Sequence, residues 1–427
     1  MRGVAASFRD FLLTSRRALL NPSPTYTSLH LVLGNEACDA DSIVSALTHA
    51  FRLHAEAPPS TSLVAPVVSC KRAEWPLRRE AASLLAEALL DPASAPPRGS
   101  PEAASALGDM LLFLDDAAPV AAVARARGAD GGVPLRATLT DHNLLDGGGR
   151  ALGLRDADVV GIVDHHEDMG GHAAVVGAAR NVSYDPAARR GVGSTCTLVA
   201  GALLAEKLLD GALARALLGV VLLDTCGLAP AAGKTTPEDL RVAAALRECA
   251  GVGEAEGATM YEALCALRFE APFWRSLPPA VALAYDFKGF GSFGTAAICE
   301  PAGVFLGAAG GALAAAPLAA CAHAAATRGL PLFLLLSMAQ SAAGAPFERQ
   351  LAVVMPPPSA AGGEAARRVL ARLRACEELR LSELAAGRAE GGWEGVLFAQ
   401  GNAVASRKQV VPLVQGWLRD PQNKNTA

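Results

Sequence analysis

The chain has 427 residues, of which 51% are hydrophobic and 19% charged, with a formal net charge of -4. It is too apolar for a disordered chain and too long for one ordinary core, so two or three domains are expected. The weak negative balance speaks against a general nucleic-acid binder, yet it allows a small anion held by a few Lys and Arg.

Residues 1–20 contain Arg and Ser with a single acid, as organelle transit peptides do. The spacing of Phe8, Phe11, Leu12, Leu19 and Leu20 favours an N-terminal helix instead. A Pro/Ser turn follows at Asn21–Pro24. The apolar run Leu29–Leu33 then reads as a buried strand, and the polar stretch GNEACDADS leads into a helix over Ile43–Leu53. Strand, polar loop and helix open an α/β domain. Further strands are expected at Ser62–Val68, Met110–Leu114, Arg136–Leu139 and Val159–Val163. Helices are expected near Leu77–Leu90, Ser194–Leu209 and Leu213–Leu223, with a Pro/Ser/Ala loop at Leu90–Pro101.

Gly251–Gly257, followed by Pro272, Pro278 and Pro279, marks the passage to a second region. There Leu283–Phe287, Gly294–Cys299, Leu332–Leu336 and Gln350–Val354 read as strands, and Ala365–Leu379 and Gln409–Leu418 as helices. Residues 301–326 carry no Asp, Glu, Lys or Arg, but they are mostly Ala and Gly with Pro317 and His323. A buried helix with its flanking loop fits better than a membrane span. The nine cysteines are irregularly spaced and include no CxxC pair. They read as small buried hydrophobes in a reducing compartment, not as a disulfide framework or a zinc motif.

Four apolar runs end in carboxylates. Leu31-Val32-Leu33 leads to Asp39 and Asp41, and Thr138-Leu139-Thr140 to Asp141-His142-Asn143. Gly161-Ile162-Val163 leads to Asp164-His165-His166, and Val220-Val221-Leu222-Leu223 to Asp224. One Asp after a strand is usually a helix cap or an Asx-turn. Several converging buried carboxylates need a partner, and a divalent cation is the natural one. Oxygen-rich sites with one or two imidazoles suit Mn²⁺ or Mg²⁺. No Gly-rich nucleotide loop is present.

This ordered set resembles the DHH phosphoesterase superfamily, whose motif stands here as Asp164-His165-His166. It is similar to the branch with a C-terminal DHHA2 domain, which contains the family II manganese-dependent inorganic pyrophosphatases, the exopolyphosphatases and the prune proteins. GNEACDADSIVSALTHAF (34–51), Lys71-Arg72-Ala73-Glu74-Trp75-Pro76-Leu77-Arg78-Arg79 and AGKTTPED (232–239) look like the exopolyphosphatase and prune subgroup. Tyr285-Asp286-Phe287-Lys288 and Ser406-Arg407-Lys408-Gln409-Val410-Val411-Pro412 resemble the DHHA2 signatures.

The resemblance implies an α/β fold in two parts. Residues 1–255 would form the DHH metal-binding domain, with a mainly parallel sheet flanked by helices. Residues 256–427 would form a smaller DHHA2-type α/β domain that binds phosphate, with the active site in the cleft between them. Carried over by position, Asp39, Asp41, Asp141, His165 and Asp224 would hold two divalent ions, Mn²⁺ or Mg²⁺ with Co²⁺ also acceptable, and Asp141 would bridge them. His166 would sit beside the substrate phosphate, and Asp164 would orient the histidine pair. Lys288, Arg407 and Lys408 would grip phosphate oxygens, with Asn35 and His142 also on the substrate side. Lys71, Arg72, Arg78, Arg79, Arg189, Arg190 and Lys234 are candidates for a longer cationic channel.

In one respect the chain departs from the pyrophosphatases, which have a His ligand where Asn35 stands; the exopolyphosphatase and prune relatives share the Asn. The activity implied is metal-dependent release of terminal orthophosphate from inorganic polyphosphate. A pyrophosphatase, a short-chain polyphosphatase, a cyclic-nucleotide phosphodiesterase and a prune-like adaptor with a residual metal site stand as alternatives. The expected partner is polyphosphate or another small phosphoanhydride, with no nucleic acid or membrane. The expected location is cytoplasmic, organelle targeting being the lesser reading, and the oligomeric state is open.

Overall fold

The computed structural model describes residues 7–21, 25–56, 62–91, 93, 96–128, 132–188, 190–340 and 347–419. The chain divides into two compact units, Met1–Leu267 and Arg268–Ala427.

The strands of the first unit are β1 (Ser28–Leu33), β2 (Ser62–Val67), β3 (Leu135–Thr140), β4 (Val159–Asp164) and β5 (Arg180–Val182), with a small ribbon of β6 (Tyr184–Asp185) and β7 (Arg190–Gly191). Its helices begin with α1 (Phe8–Leu20), α2 (Ala40–Glu56), α3 (Arg79–Leu89), α4 (Pro101–Gly108) and α5 (Ala117–Ala126). They continue with α6 (Gly147–Ala151), α7 (Thr195–Ala205), α8 (Gly211–Asp224), α9 (Pro237–Ala250) and α10 (Glu254–Arg268). The main sheet is parallel with strand order β2-β1-β3-β4-β5. Leu29, Leu31, Val32, Ala137, Leu139 and Ile162 are fully enclosed, as parallel strands covered on both faces require.

The N-terminal helix forms as its spacing predicts. Ser7 caps it by accepting from the Asp10 N–H at 3.1 Å. Phe8, Phe11, Leu12 and Leu19 are buried, and Phe8 meets Phe51 of α2 edge-on at 5.5 Å, whereas Leu20 faces outward.

The second unit contains α11 (Ala271–Ser276), α12 (Pro279–Tyr285), α13 (Ala302–Phe305), α14 (Ala315–Ala326), α15 (Gly363–Arg374) and α16 (Arg407–Arg419). Its strands are β8 (Phe287–Gly289), β9 (Gly294–Ile298), β10 (Phe333–Ala339), β11 (Glu348–Met355), β12 (Leu381–Arg388) and β13 (Glu394–Gln400), in the order β12-β13-β11-β10-β9-β8. Pairing is antiparallel except for β9 with β10. One hydrophobic cluster, including Phe333, Leu335, Leu318 and Leu397, covers one face; another, including Phe293, Leu334, Phe398 and Val410, covers the other.

Several expectations need correction. Met110–Leu114 is not a strand: only Phe113 bridges to Val68. The Phe113 N–H donates to Asp116 Oδ2 at 3.0 Å, so a side-chain turn takes the donor that a ladder would need. Leu283–Phe287 splits between α12, which starts at Pro279 as Pro at a first helical turn permits, and β8. The helix expected near Leu213–Leu223 does form, as α8, so of the four apolar runs that lead to carboxylates the one before Asp224 is helical. β12 and β13 have no counterpart among the expected strands. β12 is mostly exposed and irregular between Glu383 and Ala385, so the period-two signal is missing. The division between units lies at the end of α10, where the expected boundary stood at 255/256. Leu264 of α10 packs near Gly219 of α8, which accounts for that helix staying with the first unit. Residues 301–326 contain α13 and α14, and no helix among the described residues is long and apolar enough to cross a membrane. The cysteines are free thiols, mostly buried, with Cys249 exposed.

Candidate metal centre

In the first sheet the chain leaves β1 for β2 on one side and later returns to β3 on the other. The strand order therefore reverses between β1 and β3, and a crevice at the carboxyl ends of strands forms at such a point. The loops after β1, β3 and β4 carry Asn35–Asp41, Asp141–Asn143 and Asp164–His166 to this shared edge.

Asp141 leaves β3 with φ 64°, a left-handed conformation that Asp tolerates better than most side chains. Its carboxylate is buried. Asn35 Nδ2 donates to Asp141 Oδ2 at 2.7 Å and to its carbonyl at 3.0 Å, and Thr195 Oγ1 donates to Oδ1 at 3.2 Å. The Asn35 amide oxygen accepts from the Ala37 and Cys38 N–H groups, which fixes the orientation of the amide.

Asp41 lies in the first turn of α2 and is also buried. Ser194 Oγ donates to its Oδ1 at 2.6 Å, Cys196 N–H to the same oxygen at 2.8 Å, and Thr195 N–H to Oδ2 at 2.8 Å. These groups belong to the N-terminus of α7, where N–H groups and helix dipole both favour an anion. Even so, burial and the neighbouring Asp141 charge push the Asp41 carboxyl up to about 6, against the pull of His165.

His165 is buried, and its Nδ1 lies 2.8 Å from the Val192 carbonyl oxygen. An acceptor there requires Nδ1–H, so in the neutral ring Nε2 carries the lone pair. That nitrogen lies 3.4 Å from Asp141 Oδ1 and 3.7 Å from Asp41 Oδ2. Three electron-pair donors thus converge in a buried space, an arrangement that is repulsive alone and fits a divalent cation. Asp141, His165 and His166 also offer ligand atoms within 4.8 Å of one another, so they could hold a metal ion together.

Asp164 is fully buried and supports the histidines rather than facing the cluster. Its Oδ1 accepts from the His165 and His166 N–H groups at 2.8 and 3.1 Å and from His166 Nδ1 at 2.8 Å, while Asn143 Nδ2 donates to Oδ2 at 2.6 Å. Burial works against its charge, but His166 beside it holds the carboxyl well below the usual carboxylate range. Asp39 caps α2 by accepting from the Ser42 N–H at 3.0 Å. Its charge is close enough to raise Asp41 further. Asp224 is half-buried at the end of α8. Burial and the charges of Asp41, Asp224 and Asp141 push the Cys196 thiol well up, so all three carboxylates act on one neighbourhood. His142 is turned elsewhere: its Nδ1 bonds the Thr140 carbonyl at 2.9 Å, and Nε2 lies 3.8 Å from Asp146.

In the second unit, β8 and the start of α16 bring the two basic signatures together. Arg407 pairs with Asp286 and donates to its carbonyl at 3.3 Å, which places Arg407 beside the segment bearing Lys288. Lys288, Arg407 and Lys408 are all half-buried. Of the channel candidates, Arg72 is bound to Asp116 at 2.6 Å and lies over the Phe113 ring at 4.5 Å, so it serves the fold. Arg78 is buried, Arg79 donates to the Gly99 carbonyl, and Lys71 and Arg190 are exposed. Arg189 lies outside the described residues.

Sequence reasoning assigned no role to Ser194, Thr195, Asn143 or Asp239. A Gly-Ser-Thr cluster just before an apolar helix was the available signal for the first two, as was the Thr-x-x-Asp capping pattern at 236–239 for the last.

No protein-family model matches the chain. It is 32% identical over 232 residues to the Homo sapiens protein named "Exopolyphosphatase PRUNE1", a match covering 54% of this chain and 42% of that protein. It is 30% identical over 191 residues to a Schizosaccharomyces pombe protein named "Putative exopolyphosphatase", covering 43% of this chain and 39% of the relative. The match therefore spans less than half the length of these curated relatives. Among solved structures, the Methanococcus jannaschii "putative family II inorganic pyrophosphatase" superposes with a TM-score of 0.54 at 18% identity, covering 91% of this chain and 99% of that one. At that identity the superposition shows a shared fold. Over the matched part the chain is thus similar to proteins named exopolyphosphatase, and it shares the two-part α/β fold of a family II inorganic pyrophosphatase, with Asp164-His165-His166 at the carboxyl end of β4.

Proposed function

We propose that this protein is a divalent-metal-dependent phosphoanhydride hydrolase that releases terminal orthophosphate from inorganic polyphosphate. The observation that carries the reading is the convergence of Asp41, Asp141 and the His165 Nε2 lone pair at the carboxyl ends of β1, β3 and β4. In this reading Asp39, Asp41, Asp141, His165 and Asp224 hold two cations, Mn²⁺ or Mg²⁺. Bound there, such ions would activate a water for attack and neutralise phosphoryl oxygens.

The chain's own groups do the rest. Asn35 and Thr195 fix the Asp141 carboxylate by hydrogen bonds, and the N-terminus of α7 fixes Asp41. Asp164 holds the His166 ring, whose other edge serves the substrate phosphate. Lys288, Arg407 and Lys408 supply positive charge and N–H donors for the transferring and leaving oxygens. Their service at the same substrate is part of the proposal, as is a two-domain organisation into metal-binding and phosphate-binding parts. A cytoplasmic setting suits the free thiols.

Asn35 favours polyphosphate over pyrophosphate as the preferred substrate. Its amide oxygen is taken by backbone N–H groups, so it presents a donor to Asp141 and no lone pair to a cation. The site thus lacks the imidazole ligand of the pyrophosphatases. The test is phosphate release from long-chain polyphosphate, tripolyphosphate and pyrophosphate with Mn²⁺ or Mg²⁺, in wild type and Asp141→Ala. Metal-dependent release from polyphosphate, lost in the variant, is expected. Release from pyrophosphate alone would move the protein to the pyrophosphatases. No release from any of the three would overturn the reading and leave a phosphodiesterase or an adaptor.

A further inference from the structure

One carboxylate in the first unit belongs neither to the cation cluster nor to the surface. Asp239, in the first turn of α9, has no solvent exposure. Gly193 N–H donates to its Oδ1 and Oδ2 at 3.0 and 2.9 Å, and Thr197 Oγ1 donates to Oδ1 at 2.6 Å. Thr236 N–H and Oγ1 donate to Oδ2 at 2.8 and 2.7 Å. A buried anion with this many donors is held rigidly, and it holds its donors equally.

The turn that Asp239 grips touches several members of the cluster. The Val192 carbonyl sets the His165 tautomer. Ser194, Thr195 and Cys196 bind both oxygens of Asp41, and Thr195 Oγ1 binds Asp141. A Cβ at Gly193 would lie 2.4 Å from Thr225 Cγ2, so the turn also packs against the residue after Asp224. Residues 192–196 therefore link loops from β1, β3, β4 and α8, and their position relative to α9 is set by Asp239.

We propose that Asp239 is a positioning residue: it anchors the 192–196 turn and, through that turn, sets the cation-binding geometry of Asp41, Asp141 and His165. The inference rests on the metal-centre reading above and adds a residue that touches neither cation nor substrate. Groups that orient ligands in this way change metal affinity by about ten- to a hundredfold when altered.

The experiment compares Asp239→Asn with wild type in two measurements on the full chain. Hydrogen exchange of the 193–196 amides is followed in metal-free protein, and Mn²⁺ binding is titrated by calorimetry. The amide keeps the shape of the side chain but faces N–H donors with an NH₂ group. Faster exchange and about ten- to a hundredfold weaker Mn²⁺ binding are expected. Val242→Ala, in the core face of the same helix, controls for stability alone and leaves Mn²⁺ affinity unchanged. If Asp239→Asn does not fold, Thr197 carries the test: Thr197→Ser keeps Mn²⁺ affinity and Thr197→Val weakens it. Unchanged exchange or unchanged affinity in Asp239→Asn, or an equal loss in Val242→Ala, overturns the proposal. A wild type that binds no Mn²⁺ would instead remove the metal-centre reading, and this inference with it.

Discussion

In the first unit Asp41, Asp141, Asp164 and His165 are buried, and each is held by backbone N–H or carbonyl groups, hydroxyls or a neighbouring side chain. In the second unit Lys288, Arg407 and Lys408 are half-buried at one end of β8 and α16, with Arg407 tied to Asp286. The first arrangement is costly to assemble and sensitive to small displacements, because buried charge is weakly screened. The second is only partly enclosed, so its charges are more open to screening by salt. Damage to the first should therefore abolish cation binding, whereas damage to the second should weaken substrate capture.

The largest effect is expected from Asp141→Ala, which removes the carboxylate shared by Asn35, Thr195 and His165. Phosphate release should fall by about a thousandfold or more, and calorimetry should show Mn²⁺ binding lost. Retained tight binding would mean that the buried cluster is not the metal centre. Asp164→Asn should come next. It leaves the ligands present but loosens both histidines, so Mn²⁺ affinity and turnover should each drop about ten- to a hundredfold. A wild-type titration curve from that variant would assign Asp164 to stability alone.

Lys408→Ala sharpens the comparison from the other side. KM for polyphosphate should rise about tenfold, with a shallower dependence on ionic strength, and Mn²⁺ affinity should not change. If this variant lost Mn²⁺ binding, the division of labour between the units would be broken.

The smallest effect concerns pH and lies away from the ligands. Burial, aided by Arg136, lowers His30 to about 4, and burial, with Arg52 and His30, lowers His49 to about 3, both from an ordinary 6.5. Between 6.5 and those lowered values the unfolded chain binds more protons than the folded one. Stability is therefore fully present above that window and is lost as pH falls through it, with a slope of about 1.4 kcal/mol per unit for each histidine. Urea unfolding of His49→Gln at pH 7 and pH 5 should show a smaller difference than wild type. Equal differences would show that His49 does not titrate this way.

Four strands of the parallel sheet in the first unit were legible as short apolar runs ending in polar residues, as at Leu29–Leu33 and Val159–Val163, whereas β5, Arg180-Asn181-Val182, carries no such run. Its cluster was legible because Asp39, Asp41, Asp141 and Asp164-His165-His166 stand close to those strand ends in sequence. What escaped notice depends on distance or on local competition. Phe113 gives its N–H to Asp116, so an apolar run that looked like a strand makes one bridge. β12 and β13 pair with each other and β13 with β11, yet β12 faces solvent along most of its length and shows no alternation. The turn of His142 toward Asp146 was equally unreadable, since a bond between its Nδ1 and the Thr140 carbonyl decides it. Asp239 lies far along the chain from the aspartates whose geometry its turn supports, and only tertiary structure brings it beneath them.

The location of the cluster at the reversal between β1 and β3 also bears on how the chain reaches its native state. Its members come from segments spread between Asp39 and Asp224, so distant parts of the chain must meet before Asp41, Asp141 and His165 face one another. Such long-range closures come late and slowly. A cation that needs all three has little to hold in a half-formed chain. Its stabilisation falls on the finished unit, lengthening the lifetime of the native state rather than hastening its formation.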